Sequence, residues 1–271
     1  MTSHDVIAYL RRVTEIKQIG HAGTLDPFAE GVLPVCIGKA TRLIEYLEDD
    51  KVYTGEFCFG KSTATFDIEG EITEEFHQKI EEEDVIAGLK RFEGEIEQLP
   101  PIYSAVKIHG RKLYEYAREG KHVEIKPRKV FIKQIRLISF SDNRAKVYIE
   151  CSKGTYIRSI ANELGKILNN GCYLSELVRE RAGRFCIDNA VKLENIKTVN
   201  DVSKLLINPL EYLPYPKLEL REDEYERISH GMSIHNRLNT DDGIVILKKN
   251  NIIVAIAQIT PNNLRTEKVF I

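Results

Sequence analysis

Residues 20–34 can be neither a helix nor an ordinary strand, so the rest of the chain must be built around them. They read Gly20-His21-Ala22-Gly23-Thr24-Leu25-Asp26-Pro27-Phe28-Ala29-Glu30-Gly31-Val32-Leu33-Pro34. Three glycines and two prolines interrupt the segment, and its apolar residues follow no helical period. It reads as an ordered loop with strand ends. Asp26-Pro27 with Gly31 behind it is ordinary turn chemistry, because Asp bonds its own backbone and Pro presets φ. The same residues fix one carboxylate in a rigid loop, with a histidine five residues before it. On spacing alone, a structural turn and a held catalytic acid are both open.

The flanking sequence supplies regular elements. Ser3 or Asp5 can cap a helix whose residues Val6, Ile7, Leu10 and Val13 share a face. Ala40, Leu43, Ile44 and Leu47 predict a second amphipathic helix. Residues 52–59 alternate as a strand with Tyr53, Phe57 and Phe59 on one side. Val85, Ile86, Leu89 and Phe92 predict a third helix. Leu99-Pro100-Pro101 ends that region, since proline disfavours helix at the residue before it. Residues 130–140 and 145–151 read as strands joined by a turn at Ser141-Asp142-Asn143, with Ala145, Val147, Ile149 and Cys151 inward. After Gly154, residues Ile157, Ile160, Ala161, Leu164 and Leu168 fall at helical spacing. Thr155, Tyr156 and Arg158 therefore lie at a strand-to-helix junction. Asn208-Pro209 and Pro214-Tyr215-Pro216 break the pattern and predict a domain boundary. Beyond it, residues 244–247 and 252–259 flank 248–251 as a β-hairpin.

Charge is placed unevenly. The net charge of -2 argues by itself against a nucleic-acid partner. Yet residues 67–97 hold 12 Asp/Glu against 3 Lys/Arg, whereas residues 105–136 hold 10 Lys/Arg against 3 Glu. Tyr103, Tyr114 and Tyr116 are interleaved with the cations, a composition that suits phosphates and unstacked bases together. A solvated charged face is the other reading of such a run. The five cysteines include no Cys-x-x-Cys pair, which fits buried thiols better than a zinc site. No stretch approaches the roughly 18 apolar residues of a membrane span. Met1-Thr2-Ser3-His4-Asp5 lacks the basic and apolar regions of a signal peptide, so a cytoplasmic location is expected. Gly38-Lys39-Ala40-Thr41 lacks the upstream glycine of a phosphate-binding loop, which argues against an NTPase.

The 20–33 segment closely resembles the signature of the TruB family of tRNA pseudouridine synthases, Gly-His-x-Gly-Thr-Leu-Asp-Pro-x-Ala-x-Gly. Lys51-Val52-Tyr53 resembles the family's Lys-x-Tyr strand. Pro101-Ile102-Tyr103-Ser104-Ala105-Val106-Lys107, with the following Gly110-Arg111-Lys112-Leu113-Tyr114 and onward to Gly120, resembles its RNA-binding insertion. Cys151-Ser152-Lys153-Gly154-Thr155-Tyr156-Ile157-Arg158-Ser159 resembles its second catalytic segment. Four separated motifs in the right order are far more specific than any one of them.

The resemblance implies an α+β pseudouridine synthase fold with a mixed, largely antiparallel central sheet, plus a small C-terminal β-rich PUA-like domain. It assigns residues 1–210 to the catalytic domain, with the insertion at about 101–129, and residues 215–271 to the PUA-like domain. It implies that uridine-55 in the T loop of tRNA is isomerised to pseudouridine, without metal or cofactor, by a monomer. Asp26 becomes the catalytic aspartate, as nucleophile or as base. Tyr53 stacks on the flipped uracil and takes part in removing the C5 proton. Arg158 pairs with Asp26 and keeps it ionised. His21 contacts the RNA and holds the target nucleotide out of its loop. Tyr156 shapes the pocket, and Leu177 supplies an apolar wall. Lys107, Arg111 and Lys112 contact RNA from the insertion.

The chemistry asks for these residue types. Uracil must leave C1′ through N1, turn, and rejoin through C5. A confined carboxylate and an aromatic wall serve that, and the nucleotide must be flipped out of its stack. Read without the family, Tyr53 is a packed strand aromatic, Arg158 a helix cation and His21 a turn hydrogen-bonder. Two rival functions share the residues. One is a non-catalytic RNA-binding or tRNA-folding protein. The other is a hydrolase using Asp26 as nucleophile with Glu30 as second carboxylate. Two departures from the family stand out. Ala22 replaces its frequent Thr, and the strand with Lys-Pro-x-Gly that usually precedes Met1 is absent. A misplaced start or a truncation explains the latter, and an exposed sheet edge is the expected consequence.

Overall fold

A computed structural model describes residues 1–104, 106–121 and 123–271. Its packing units interleave along the chain. The first comprises Met1–Ser3, Thr24–Leu33 and Asp49–Ala190; the second comprises His4–Gly23, Pro34–Glu48 and Val191–Ile271. A division expected from the prolines at 208–216 is linear, whereas the packing is not. Ile7, Leu10 and Ile19 share a core with Val202, and Leu43 and Tyr46 share one with Leu210 and Leu213. Such long-range apolar contacts leave no mark in a local pattern.

In the first unit, Lys51–Phe59 is an inner strand of a seven-stranded sheet. On one side it pairs antiparallel with Arg144–Cys151, then Arg128–Ser141, then Gly94–Gln98. On the other side it pairs antiparallel with Cys172–Ala182, which pairs antiparallel with Phe185–Cys186 and in parallel with the short Glu30–Gly31. The sheet is thus mixed and largely antiparallel, as expected. Asp142 and Asn143 turn the 128–151 hairpin with φ of 50° and 57°, the left-handed geometry a two-residue hairpin loop requires. Ala145, Val147, Ile149 and Cys151 all face inward and are buried, as their alternation predicts.

Helices Ile157–Ile167 and Glu82–Lys90 cover that face. Ile157, Ile160, Ala161 and Leu164 join Val85, Leu89, Tyr53, Phe57 and Leu177 in one core. Burying each Leu or Ile is worth about 2 kcal/mol, so this face holds the unit. Ile86, expected inward, is 38% exposed. Residues 85, 89 and 92 define the buried stripe, and Ile86 lies about 100° round the helix from Val85.

The second unit holds a five-stranded sheet in the order Lys217–Glu219, Gly243–Lys249, Ile252–Ile259, Asn263–Val269, Ile234–His235. Its hairpin at Asn250-Asn251 lies where the sequence predicts, again with both residues at positive φ. Both faces of the sheet are buried. Ile228 of helix Glu222–Ser229 packs with Val245, Leu247 and Ala257, while Leu43, Tyr46 and Leu213 pack with Ile246 and Ile256. The amphipathic helix expected at 40–47 is a nine-residue 3-10 helix, Gly38–Tyr46. Its three-residue repeat aligns Ala40, Leu43 and Tyr46 toward the sheet, which a 3.6-residue period would not. Among the described residues, no helix is long and apolar enough to cross a membrane.

Candidate active site

Asp26 lies in the loop Thr24–Leu33 of the first unit. Its backbone carbonyl accepts from Ala29 N–H at 3.0 Å, closing the Asp-Pro turn. The Ser3 hydroxyl accepts from Leu25 N–H at 2.8 Å, which pins the residue just before it. The carboxylate is gripped from the opposite side by Arg158, whose Nε donates to Oδ2 at 2.9 Å and whose Nη2 donates to Oδ1 at 2.8 Å. This two-pronged geometry fixes orientation as well as charge.

Arg158 stands in the first turn of helix Ile157–Ile167, where the strand-to-helix junction places it. The junction is clamped by Gln98, which donates to the Tyr156 carbonyl at 3.0 Å and accepts from Tyr156 N–H at 2.7 Å. The guanidinium also bonds to other groups of the same unit. Nη1 donates to Thr65 O at 3.1 Å, and Nη2 to Tyr103 O at 3.1 Å. Nη1 also pairs with Asp67 Oδ2 at 3.1 Å. Asp67 is 3% exposed and accepts from Glu69 N–H and the Thr65 hydroxyl. One buried cation is therefore shared by two carboxylates, of which only Asp26 reaches solvent, with 30% of its side chain exposed. Burial pushes the Asp26 carboxyl above its usual value; Arg158 pulls it down, and the Asp67 charge pushes it up again. The arginine was expected to lower the carboxyl. It does act in that direction, but desolvation outweighs it.

A second arginine organises the same loop from below. Arg179, in strand Cys172–Ala182, is 0% exposed. Its Nε donates to Val32 O at 2.8 Å and its Nη1 to Thr24 O at 3.2 Å, while its own carbonyl accepts from Val32 N–H at 2.9 Å. Gly31 permits this contact. A Cβ there would lie 2.2 Å from the Arg179 carbonyl oxygen, and its φ is +111°. Arg179 is the direct cross-strand partner of Tyr53, and Leu177 that of Gly55, so the four positions share one face. Burial raises the Tyr53 phenol to about 12, with Arg179 pulling it down, so it is protonated at neutral pH.

The geometry thus brings together Asp26, Arg158, Tyr53 and Leu177, with Tyr156 at the cap of the Arg158 helix. His21 is half-buried in strand Ile19–His21 of the second unit, paired with Val35. Lys107 is exposed on a small hairpin, Lys107–Ile108 with Arg111–Lys112. Arg111 is ion-paired with Glu119 and lies 5.0 Å from the Tyr116 ring centre; Lys112 donates to the Tyr114 hydroxyl at 3.2 Å. Ala105 of the insertion motif lies outside the described residues. Glu30 is exposed and engaged in the strand pair with Val178. Among the described residues, no three His, Cys, Asp or Glu side chains are gathered as metal ligands. Cys58, Cys151 and Cys172 are buried thiols, and Cys36 and Cys186 are half-buried.

Sequence reasoning missed Asp67, Gln98 and Arg179. Asp67 is one of 12 carboxylates in its stretch, and nothing local separates it from the rest. Val178-Arg179-Glu180-Arg181 reads as a polar run and hides a strand.

The family model described as TruB family pseudouridylate synthase (N terminal domain) matches residues 11–157. The chain belongs to this family. The tRNA pseudouridine synthase B of Carboxydothermus hydrogenoformans is 43% identical over 100% of this chain and 94% of its own length. That of Caldanaerobacter subterraneus subsp. tengcongensis is 40% identical over 100% and 95%. Among solved structures, a Cbf5-Nop10-Gar1 complex superposes with a TM-score of 0.73 at 25% identity, covering 100% of this chain and 82% of the other. As a TruB-family pseudouridylate synthase the protein is an isomerase, which sets aside the hydrolase and the purely RNA-binding alternatives. Within the family, an aspartate held by an arginine on a loop of fixed shape, beside a tyrosine and a leucine, is an arrangement suited to moving a base between two bonds.

Proposed function

We propose that the chain converts uridine-55 in the T loop of tRNA to pseudouridine, with Asp26 as the catalytic carboxylate. The observation that carries this is the solvent-reaching Asp26 carboxylate, oriented by two nitrogens of a buried Arg158. Asp26 acts on the sugar as nucleophile or base while the N1–C1′ bond breaks. The uracil turns against Tyr53 and Leu177, the C5–C1′ bond forms, and the C5 proton is lost as N1 gains one. Atoms and charge balance, so the reaction needs no co-reactant. The flipped nucleotide loses stacking worth a few kcal/mol, which phosphate and aromatic contacts of residues 101–129 offset, with His21 as a further RNA contact. The five-stranded sheet of residues 217–269 supports reading that module as PUA-like. One chain supplies Asp26, Arg158, Asp67 and Tyr53, which supports action as a monomer, in the cytoplasm with its tRNA.

The test is an unmodified tRNA transcript bearing [5-³H]uridine. Wild type should release tritium, and mapping should place a single pseudouridine in the T loop at position 55. Asp26→Asn should give neither signal. Equal product from that variant, or modification outside the T loop, would remove the corresponding part of the reading.

A further inference from the structure

Arg179 stands apart from the catalytic carboxylate, yet it lies where the two elements that any chemistry here must hold still, the Asp26 loop and the Tyr53 strand, come together. The nine residues from Thr24 to Val32 form an arc with Asp26 near one end. Arg179 bridges the ends of that arc, donating to Thr24 O at 3.2 Å and Val32 O at 2.8 Å. Across the strands Arg179 is paired directly with Tyr53. A buried arginine is costly unless its donors are satisfied, and here two loop carbonyls accept from it. An apolar residue of similar length would fill the space, so a structural role alone does not call for this charge.

We propose that Arg179 is a positioning residue for the pseudouridine synthase reaction, tying the Asp26 loop to the strand that carries Tyr53 so that carboxylate and aromatic ring keep a fixed separation across the uracil. This rests on the reading of Asp26 and Tyr53 given above. Arg158 orients the carboxylate group, and Arg179 orients the backbone that carries it. Gly31 serves the same contact, since any side chain there would push the loop off the Arg179 backbone. A lysine cannot reproduce the arrangement: it keeps the charge, but one nitrogen cannot reach both loop carbonyls in a fixed plane.

The experiment uses full-length Arg179→Lys and Arg179→Met, each alone and with Tyr53→Phe, on an unmodified tRNA transcript. It reads kcat, KM, tRNA affinity and melting temperature. Misplacing reacting groups by about an ångström costs on the order of 100-fold. Arg179→Lys is therefore expected to lose about 100-fold in kcat, with KM and tRNA affinity within about threefold of wild type. Because Arg179 and Tyr53 are direct cross-strand partners, the double variant should lose less than the product of the single losses. Should Arg179→Met fail to fold, Arg179→Lys carries the same readouts. A folded Arg179→Lys with kcat within about threefold of wild type overturns the proposal. So does a loss that appears wholly in KM, or single losses that multiply. Asp26→Asn runs alongside: if it is active, the reading of Asp26 fails and this proposal with it. If it is inactive while Arg179→Lys is unimpaired, only the proposal about Arg179 falls.

Discussion

Asp26 is held by forces of opposite sign, and that opposition can be measured. Burial and Asp67 disfavour its charge while Arg158 favours it, and the net effect is a carboxyl raised above the usual value near 3.8. Either role for Asp26 needs the ionised form, so activity should be lost, as pH falls, at a higher pH than an ordinary aspartate would give. Stability moves the other way. The folded state binds this proton more readily than the unfolded chain, so the ionised form costs stability at neutral pH, and the cost disappears as pH falls through the raised value. Asp26→Asn is therefore expected to be inactive but at least as stable as wild type. Arg158 would still pair with Asp67 and donate to Thr65 O and Tyr103 O. Thermal melts at pH 7.5 and pH 5 should show any gap between the two proteins shrinking in acid; a gap that widens would contradict the sign. Asp67→Ala is the contrasting case. Removing the fully buried partner leaves Arg158 undercompensated and should cost about 3 kcal/mol in urea unfolding. At this scale the motif around 20–33 makes Asp26 legible, and the 151–159 motif makes Arg158 legible. Asp67 and Arg179 are not, because what distinguishes them is burial, and a charged residue looks the same in sequence whether buried or solvated.

Elements whose pattern is local are the ones the sequence reveals. Ala145, Val147, Ile149 and Cys151 alternate cleanly, and both Asn-containing hairpin turns fall where their residues tolerate positive φ. The strand Cys172–Ala182 escapes because its inner face must carry Arg179 opposite Tyr53, which breaks the apolar alternation. The 40–47 helix is recognised but mistyped, since Ala40, Leu43, Ile44 and Leu47 fit a 3.6-residue period, whereas the aligned stripe is Ala40, Leu43 and Tyr46. The Thr24–Leu33 loop is legible as an ordered loop but not as a piece of the sheet, because its strand pairing, Glu30-Gly31 with Val178-Arg179, is made across nearly 150 residues. That pairing can be tested at Gly31. Its φ of +111° and the 2.2 Å that would separate an added Cβ from the Arg179 carbonyl oxygen make Gly31→Ala strained on two counts. The substitution should cost about 1–3 kcal/mol and lower kcat more than tRNA affinity. A Gly31→Ala protein with wild-type melting temperature and kcat would mean that the loop can seat without this contact.

Charge at the scale of the whole chain looks unpromising for an RNA enzyme, since the total is -2. The cations are concentrated, however, and the structure sorts those in residues 105–136 into two kinds. Arg111, Lys121, Lys129 and Lys133 are ion-paired with Glu119, Glu119, Glu95 and Glu150. Arg111 and Lys121 together hold Glu119 down to about 2, so that carboxylate stays charged throughout the physiological range. A cation already neutralised within the chain releases few counterions from RNA, whereas an exposed one such as Lys107 releases about one per phosphate contacted. Filter binding of tRNA across roughly 50–200 mM salt should therefore distinguish them. Lys107→Gln should weaken binding and take about one unit off the slope of log affinity against log salt. Arg111→Gln should change the slope less, because that cation is already paired with Glu119 and Glu115. Glu119→Gln should steepen the slope by releasing Lys121 and leaving Arg111 only its longer pair with Glu115. Equal slope changes for Lys107→Gln and Arg111→Gln would show that the Arg111–Glu119 pair opens on the RNA, and that the internal ion pairs of the insertion do not set how the chain meets tRNA.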